Sequence, residues 1–382
     1  MRRDDSAVLV TGATGFIGRE IVRRLLAVGR RLVVLARPRA EAAAAARVRA
    51  AIDPLPSGAR LTVITADLAR LGFDAADLEW LRATVGTVIH SAGDSRFVPD
   101  EYDAFRATHV GGPVALLTAL AGGRLRRFAH VSTAFVCGRR EGRVLEDDGD
   151  VGQDFHNPYE RAKLEAETAM RRVGATHGID VRVLRPSIVV GPAPATTGGA
   201  PANLFFAVVR LLGRVAALGR GGAGGLRVPG APASPFNIVP VEYVAQAGVT
   251  LAEHPEAKGG TFHLVTSSPP TQAEMLAAIS RVIGLDGARI VDARRVRNDQ
   301  SPLERRLVLM LGPYAEYLAQ NVQFDDRRAR AILDGAGIPP ATINAGTVES
   351  LVQLALAGES ANFTAQDPPE AQRILASTRG SS

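Results

Sequence analysis

The stretch that decides the fold is AVLVTGATGFIGREIVRRLLAVG, residues 7–29. AVLVTG (7–12) reads as a buried strand, and GFIGREIVRRLLAVG (15–29) as a helix closed by Gly29. Between them Thr11–Gly18 runs TGATGFIG, with glycines at 12, 15 and 18. Gly12 permits a tight turn, Gly15 a close approach of backbone to phosphate, and Gly18 close packing of helix on strand. A glycine triplet alone is weak. Set between a strand and a helix it implies that a dinucleotide pyrophosphate meets the helix N-terminus, held by Gly12, Thr14, Gly15, Phe16, Ile17 and Gly18.

Outward from this turn, strand and helix patterns alternate. RLVVLAR (31–37) is a second strand, an alanine- and arginine-rich helix follows near 40–51, and LTVITADL (61–68) is a third strand. TVIHSAG (87–93) is a fourth, HVGGPVALLTALA (109–121) a helix, and RFAHVSTAFV (127–136) a fifth strand. A helix runs from Pro158 to about Val173, and VRVLRPSIVVG (181–191) is a sixth strand. The alternation predicts an α/β fold, a doubly wound parallel (Rossmann) sheet whose ligand lies over the carboxyl ends of the strands. After Gly191 it stops. Residues 192–235 are rich in Gly, Ala and Pro around one apolar helix (203–218), and 266–358 read as mostly helical. FNIVPVEYVAQAGVTLAEH (236–254) and TFHLV (261–265) read as a return to the main sheet. We therefore expect a cofactor domain of residues 1–191 with 236–265, a smaller helical substrate lobe of 192–235 and 266–365, and a disordered tail from 366 to 382.

Composition narrows the function. A single cysteine, Cys137, excludes an internal disulfide framework and fits a reducing cytoplasm. The net charge of +6 rests on 43 arginines and two lysines, and the arginines are scattered, which disfavours nucleic acid. The N-terminus runs into a strand without the apolar core of a signal peptide. The longest apolar stretch (203–219) is broken by Arg210 and Arg214, so no membrane span is expected. No HExxH, CxxC or carboxylate cluster suggests a metal. The sequence does not tell the oligomeric state.

The second strand ends Ala36–Arg37 with no acid nearby. A carboxylate there would bind ribose hydroxyls, whereas Arg37, helped by Arg47, can clasp a 2′-phosphate, which favours NADPH. Asp67 and Leu68, ending the third strand, are placed to contact adenine; Ala92 and Gly93, ending the fourth, leave room for the cofactor backbone. The fifth strand ends in Ser132–Thr133, and NPYERAK (157–163) opens the next helix with Tyr159 and Lys163 one turn apart on one face. Hydride transfer to a carbonyl needs a proton for the developing alkoxide. Tyr159 can give it where a nearby cation, Lys163, favours the phenolate; Lys163 can also bind the ribose. Thr133 can hydrogen-bond the carbonyl oxygen.

TGxxGxxG, the Ser/Thr strand end and YxxxK together resemble the extended short-chain dehydrogenase/reductases over roughly residues 6–265. VSTAFV (131–136), LRPSIVVGP (184–192) and NIVPVEYVA (237–245) most resemble the fatty acyl-CoA reductase and thioester-reductase branch. The resemblance implies Thr133, rather than Ser132, as the catalytic hydroxyl, and Pro186, Ser187 and Ile188 as the cradle of the nicotinamide carboxamide. It also implies NADPH-dependent reduction of an acyl thioester, on coenzyme A or an acidic acyl or peptidyl carrier protein, to an aldehyde and onward to an alcohol. Relatives carry an asparagine opening the fourth helix, where this chain has His109, which can act as relay or simply pack. Phe205 and Phe206, on the apolar helix, are candidate walls of an acyl tunnel; Arg294, Arg295, Arg305 and Arg306 are candidates to meet a pantetheine phosphate or an acidic carrier. A ketone reductase, a steroid-type dehydrogenase or a nucleotide-sugar epimerase or dehydratase on the same scaffold stays open, as does a non-catalytic NADP sensor.

Overall fold

Seven strands form one parallel sheet: β1 (Ala7–Thr11), β2 (Leu32–Ala36), β3 (Leu61–Thr65), β4 (Val85–His90), β5 (Arg127–Val131), β7 (Asp180–Pro186) and β11 (Thr261–Leu264). The computed structural model describes residues 5–38, 43–68, 72–94, 102–192, 203–217, 225–292 and 300–357. Arg294, Arg295, the tail from 366 and part of the Gly/Pro-rich segment lie outside the described residues. The strand order is β3-β2-β1-β4-β5-β7-β11, so the order reverses between β1 and β4, and a crevice opens there at their carboxyl ends.

β1, β2 and β4 are buried along their whole length, as strands covered on both faces must be. Val8 and Val10 face one layer, with helix α1 (Phe16–Ala27), α2 (Ala44–Ile52) and α8 (Val241–Glu253). Ala7 and Leu9 face the other, with α3 (Ala75–Thr84), α5 (Gly112–Leu120) and α6 (Pro158–His177). A second core gathers α7 (Leu204–Ala217), Val228 of β9 (Arg227–Gly230), Ile238 of β10 (Ile238–Pro240) and the helices at 272–283, 302–311 and 345–357. The helix Arg327–Gly335 packs instead on the first core through Ala329, Ile332 and Leu333.

The structure corrects several expected elements. β5 ends at Val131 rather than continuing to 136, because Thr133 Oγ1 accepts the Phe135 N–H and turns Ala134–Cys137 into a 3₁₀ helix. The strand expected over 181–191 is two. Pro186 has no N–H for the ladder, the chain turns at Ser187, and β8 (Ile188–Val190) pairs with β10 outside the main sheet. Only β11 of the later segments therefore returns to that sheet. The helix expected from 109 begins earlier, at Tyr102 (α4, Tyr102–Arg106), and carries a π turn at Ala107–Gly111, so His109 lies within it and does not open it. β6 (Gly142–Val144) and β12 (Arg289–Asp292) were not anticipated; β6 pairs with β13 (Val322–Phe324), and β12 with β9.

Helix α6 is built to be placed accurately. Asn157 caps it, accepting the Glu160 N–H; Pro158 occupies its first turn, and Gly178, at φ 65°, ends it. Its buried face is fastened by Glu167, which pairs with Arg185 of β7 (2.7 and 3.1 Å) and accepts the Ser132 hydroxyl at 2.5 Å. Glu167→Ala, which strands a buried guanidinium, is expected to lower stability by about 3–5 kcal/mol in urea unfolding. Arg161→Ala on the exposed face is expected to change it by less than about 0.5 kcal/mol.

Candidate active site

The site assembles at the carboxyl ends of β1, β4, β5 and β7. Gly12 has φ 73°, and a Cβ there would lie 2.7 Å from the Ser91–Ala92 backbone; a Cβ on Gly18 would lie 2.1 Å from the Gly12 carbonyl. Both glycines are therefore required by space, as the sequence predicts. Thr11 locks the turn to β4: its hydroxyl meets His90 Nδ1 at 2.8 Å and accepts the Ala92 N–H at 3.2 Å. Thr14 and Gly15 are exposed and Phe16 and Ile17 half-buried at the start of α1, whose first turn has no acidic residue and no side-chain cap. A helix start with neither an acidic residue nor a side-chain cap suits an anion.

At the end of β2, Arg37 is exposed, and Arg47 reaches back to donate to the Arg37 carbonyl at 2.6 Å. Arg47 Nη1 is buried with no partner among the described residues, a donor left for an anion. Asp67 and Leu68 are half-buried beyond β3, and Gly93 is exposed beside Ala92. Pro186 and Ser187 are buried, Ile188 half-buried, where the chain leaves the main sheet. The glycine turn, the open helix end and the two arginines fit a nicotinamide dinucleotide.

Thr133 and Ser132 divide their work. Ser132 is spent on Glu167, whereas the Thr133 oxygen accepts the Phe135 N–H and keeps its own proton to donate. Lys163, only 4% exposed, donates to the Val131 carbonyl at 2.9 Å, and its Nζ lies 5.8 Å from the Tyr159 ring centre. Burial brings the ammonium down to about 8, opposed by the charge of Glu167. Burial, and then the charge of Glu160, push the Tyr159 phenol above its ordinary value.

His109 is buried against Phe105 and stands edge-on to Tyr159, ring centres 5.6 Å apart. Its Nε2 lies 2.7 Å from the Asp94 carbonyl, a contact that needs the proton on Nε2 and leaves Nδ1 a lone-pair acceptor. The longer 3.1 Å approach of the Asp94 N–H cannot then be a hydrogen bond. A Cβ on Gly93 would lie 3.0 Å from His109 Cε1 and 3.7 Å from Lys163 Nζ, so a side chain there would crowd both residues. Burial, then Lys163, hold His109 near 3.

Phe205 and Phe206 are fully buried in the second core, edge against face at 5.2 Å, and pack there as core. Leu204 instead reaches a small cavity of about 20 Å³ shared with Phe135, Ile188, Phe236 and Tyr317. A larger cleft of about 970 Å³ runs along the opposite face of α6, past Arg106, Arg161 and Leu164. Sequence reasoning also missed Glu167, although its spacing, four beyond Lys163 as Lys163 is four beyond Tyr159, sets all three on one stripe.

The family described as male sterility protein, an NAD-binding family, matches residues 10–248. The chain belongs to this family. The resemblance to extended short-chain dehydrogenase/reductases of the thioester-reductase branch is borne out, and the protein is a nicotinamide-dependent oxidoreductase of this family. The chain is 34% identical over 202 residues to peramine synthetase A of Epichloe festucae (48% of this chain, 7% of that protein). It is 27% identical over 287 residues to a carboxylic acid reductase of Mycobacterium tuberculosis (68% of this chain, 24% of that protein). It thus spans a quarter or less of these relatives. The terminal R domain of the myxalamid PKS–NRPS pathway superposes with a TM-score of 0.75 at 23% identity, covering 95% of this chain and 92% of that one. No described helix is long and apolar enough to cross a membrane.

Lys163 is held in the fold at a value below its unfolded one, so the protein has a site less stable than it need be. An uncharged residue there escapes that cost, which is largest below about pH 8 and fades as pH rises toward 10.5. Lys163→Met is expected to abolish turnover yet raise Tm at pH 7 by a few degrees, about 1–2 kcal/mol of stability, with the gain shrinking by pH 10. Calorimetry at both pH values checks the sign.

Proposed function

We propose that the protein reduces an acyl thioester, carried on coenzyme A or an acidic carrier protein, to an aldehyde, with the alcohol as product of a second reduction, using NADPH. The observation that carries the proposal is a buried Lys163, one turn after Tyr159, hydrogen-bonded to the last carbonyl of the strand that leads into Thr133, in a chain of this family. NADPH, when bound, supplies the hydride to the thioester carbonyl. The chain's residues do the rest. The Thr133 hydroxyl and the Tyr159 phenol meet the carbonyl oxygen, and Tyr159 delivers a proton to it; the resulting hemithioacetal then collapses, breaking the C–S bond to release the aldehyde and the free thiol of the carrier. A phenol with a raised value stays protonated at neutral pH, which suits an acid; Lys163 then compensates the phenolate left behind. His109, edge-on to the Tyr159 ring, is the proposed relay that restores the proton.

Arg37 and the open Nη1 of Arg47 support the 2′-phosphate assignment. Asp67 and Leu68 are assigned to adenine, and Pro186, Ser187 and Ile188 to the nicotinamide carboxamide. The proposed division keeps a cofactor domain (1–191 with 236–265) and a lobe drawn from the later segments; the second core supports the lobe, with the helix Arg327–Gly335 lying on the cofactor side. Arg305 and Arg306 are the described members of the arginine set offered to a carrier phosphate.

Purified protein given a panel of pantetheine and coenzyme A thioesters is expected to oxidise NADPH at least tenfold faster than NADH and to release aldehyde. Arg37→Ala is expected to narrow that preference by about tenfold or more. Silence with every thioester, alongside turnover of a ketone or nucleotide sugar, rejects the thioester proposal. Tyr159→Phe is expected to keep NADPH affinity and lower kcat by about 10²-fold or more. His109→Ala is expected to lose about tenfold in kcat that His109→Asn retains; equal behaviour of the two variants removes the relay.

A further inference from the structure

Tyr317 belongs to none of the motifs read from the sequence, yet it touches both elements that carry the proposed chemistry. It arrives on a strap formed by a 3₁₀ turn (Gly312–Tyr314), a short helix (Ala315–Ala319) and β13. β13 pairs with β6, and Gln320 donates to the Gly138 and Arg140 carbonyls at 2.6 and 2.7 Å, so the strap is fixed to the chain just after Thr133. The Phe135 ring, two residues beyond Thr133, meets the Tyr317 ring edge to face at 5.2 Å. On its other side His156 stacks on Tyr317 at 4.6 Å, and the Tyr317 oxygen accepts from Asn157 Nδ2 at 2.7 Å.

The Tyr317 hydroxyl donates to Glu160, the residue after Tyr159 and wholly buried. The other Glu160 oxygen accepts the His156 N–H at 2.9 Å, with the His156 ring 3.1 Å from both oxygens. A buried carboxylate therefore sits beside the proton donor, and its field opposes loss of the phenol proton. Its compensation comes from within three residues of Tyr159 and from one phenol on the distant strap. A carboxylate deprived of a buried donor moves toward other donors or water, and here that motion would carry the first turn of α6.

We propose that Tyr317 is a positioning residue: by holding Glu160 it fixes the first turn of α6, and so the place at which Tyr159 meets the reacting oxygen. The proposal rests on Tyr159 as proton donor and is independent of which carbonyl is reduced. Tyr317→Phe removes the hydroxyl alone. Its kcat on the best thioester of the panel is expected to fall about tenfold while the NADPH Kd stays within about twofold. Amide exchange over 157–163 is expected to quicken about tenfold, with 168–177 unchanged. Adding Glu160→Gln, which leaves no charge uncompensated, is expected to bring kcat back to within about threefold of wild type. Arg139→Ala, which breaks the exposed strap ion pair with Glu316, is expected to leave kcat unchanged. Wild-type exchange and turnover in Tyr317→Phe overturn the proposal. So does a parallel loss of NADPH affinity and of protection in both segments without recovery in the double variant. If wild-type protein is silent on all thioesters, the thioester proposal fails by itself, and the exchange comparison alone decides this one.

Discussion

Glu167 and Arg185 hold the rotation of helix α6 about its own axis, and the proposed chemistry depends on that angle. Tyr159, Lys163 and Glu167 share one stripe, so a carboxylate tied to β7 and to Ser132 sets where the phenol and ammonium point two turns away. Arg185 also donates to the Asp148 carbonyl at 2.8 Å, which ties down the segment leading from β6 toward α6. A buried ion pair of this kind is a poor source of net stability, because desolvation consumes most of its attraction. Its value is directional. Paired and hydrogen-bonded on every side, it admits one arrangement of helix on sheet.

The same interior explains why a chain with 43 arginines keeps a lysine at 163. Burial shifts an ammonium within reach of neutrality, whereas a guanidinium stays charged wherever it is placed. The imidazoles around Lys163 are kept neutral. His90 is held near 3 and His130 well below its ordinary value, in both cases by burial first and the Lys163 charge next. The two imidazoles stack with ring centres 5.4 Å apart, His90 joined to Thr11 of the glycine turn. Cofactor turn and proton-handling residues are thus linked through a layer of neutral rings.

What the sequence made legible was local. Periodicity and the glycine turn gave the order of the first five strands and of α1, α2, α5 and α6, though not α3, because buried parallel strands and their crossovers write a strong pattern. Tyr159 and Lys163 were legible because four residues in a helix is a contact. The departures have equally definite causes. One missing N–H at Pro186 splits a continuous apolar run into β7 and β8, and a π turn places His109 within a helix rather than at its start. Phe205 and Phe206 suited a tunnel or a core alike, and only packing distinguishes them. Tyr317 was beyond reach, since no spacing rule links it to Glu160 across 157 positions.

That separation bears on how the chain is made. Synthesis runs from the N-terminus, so Tyr159 and its carboxylate neighbour leave the ribosome long before the strap that accommodates them. Until then the nascent domain has an edge at β7, without β11 to cover it, and β6 without its partner β13. Residues 10–248, the portion shared across the family, stop short of both closing strands. A fragment cut at the end of the matched region would carry Thr133, Tyr159 and Lys163 without β11, β13 or the phenol that holds Glu160.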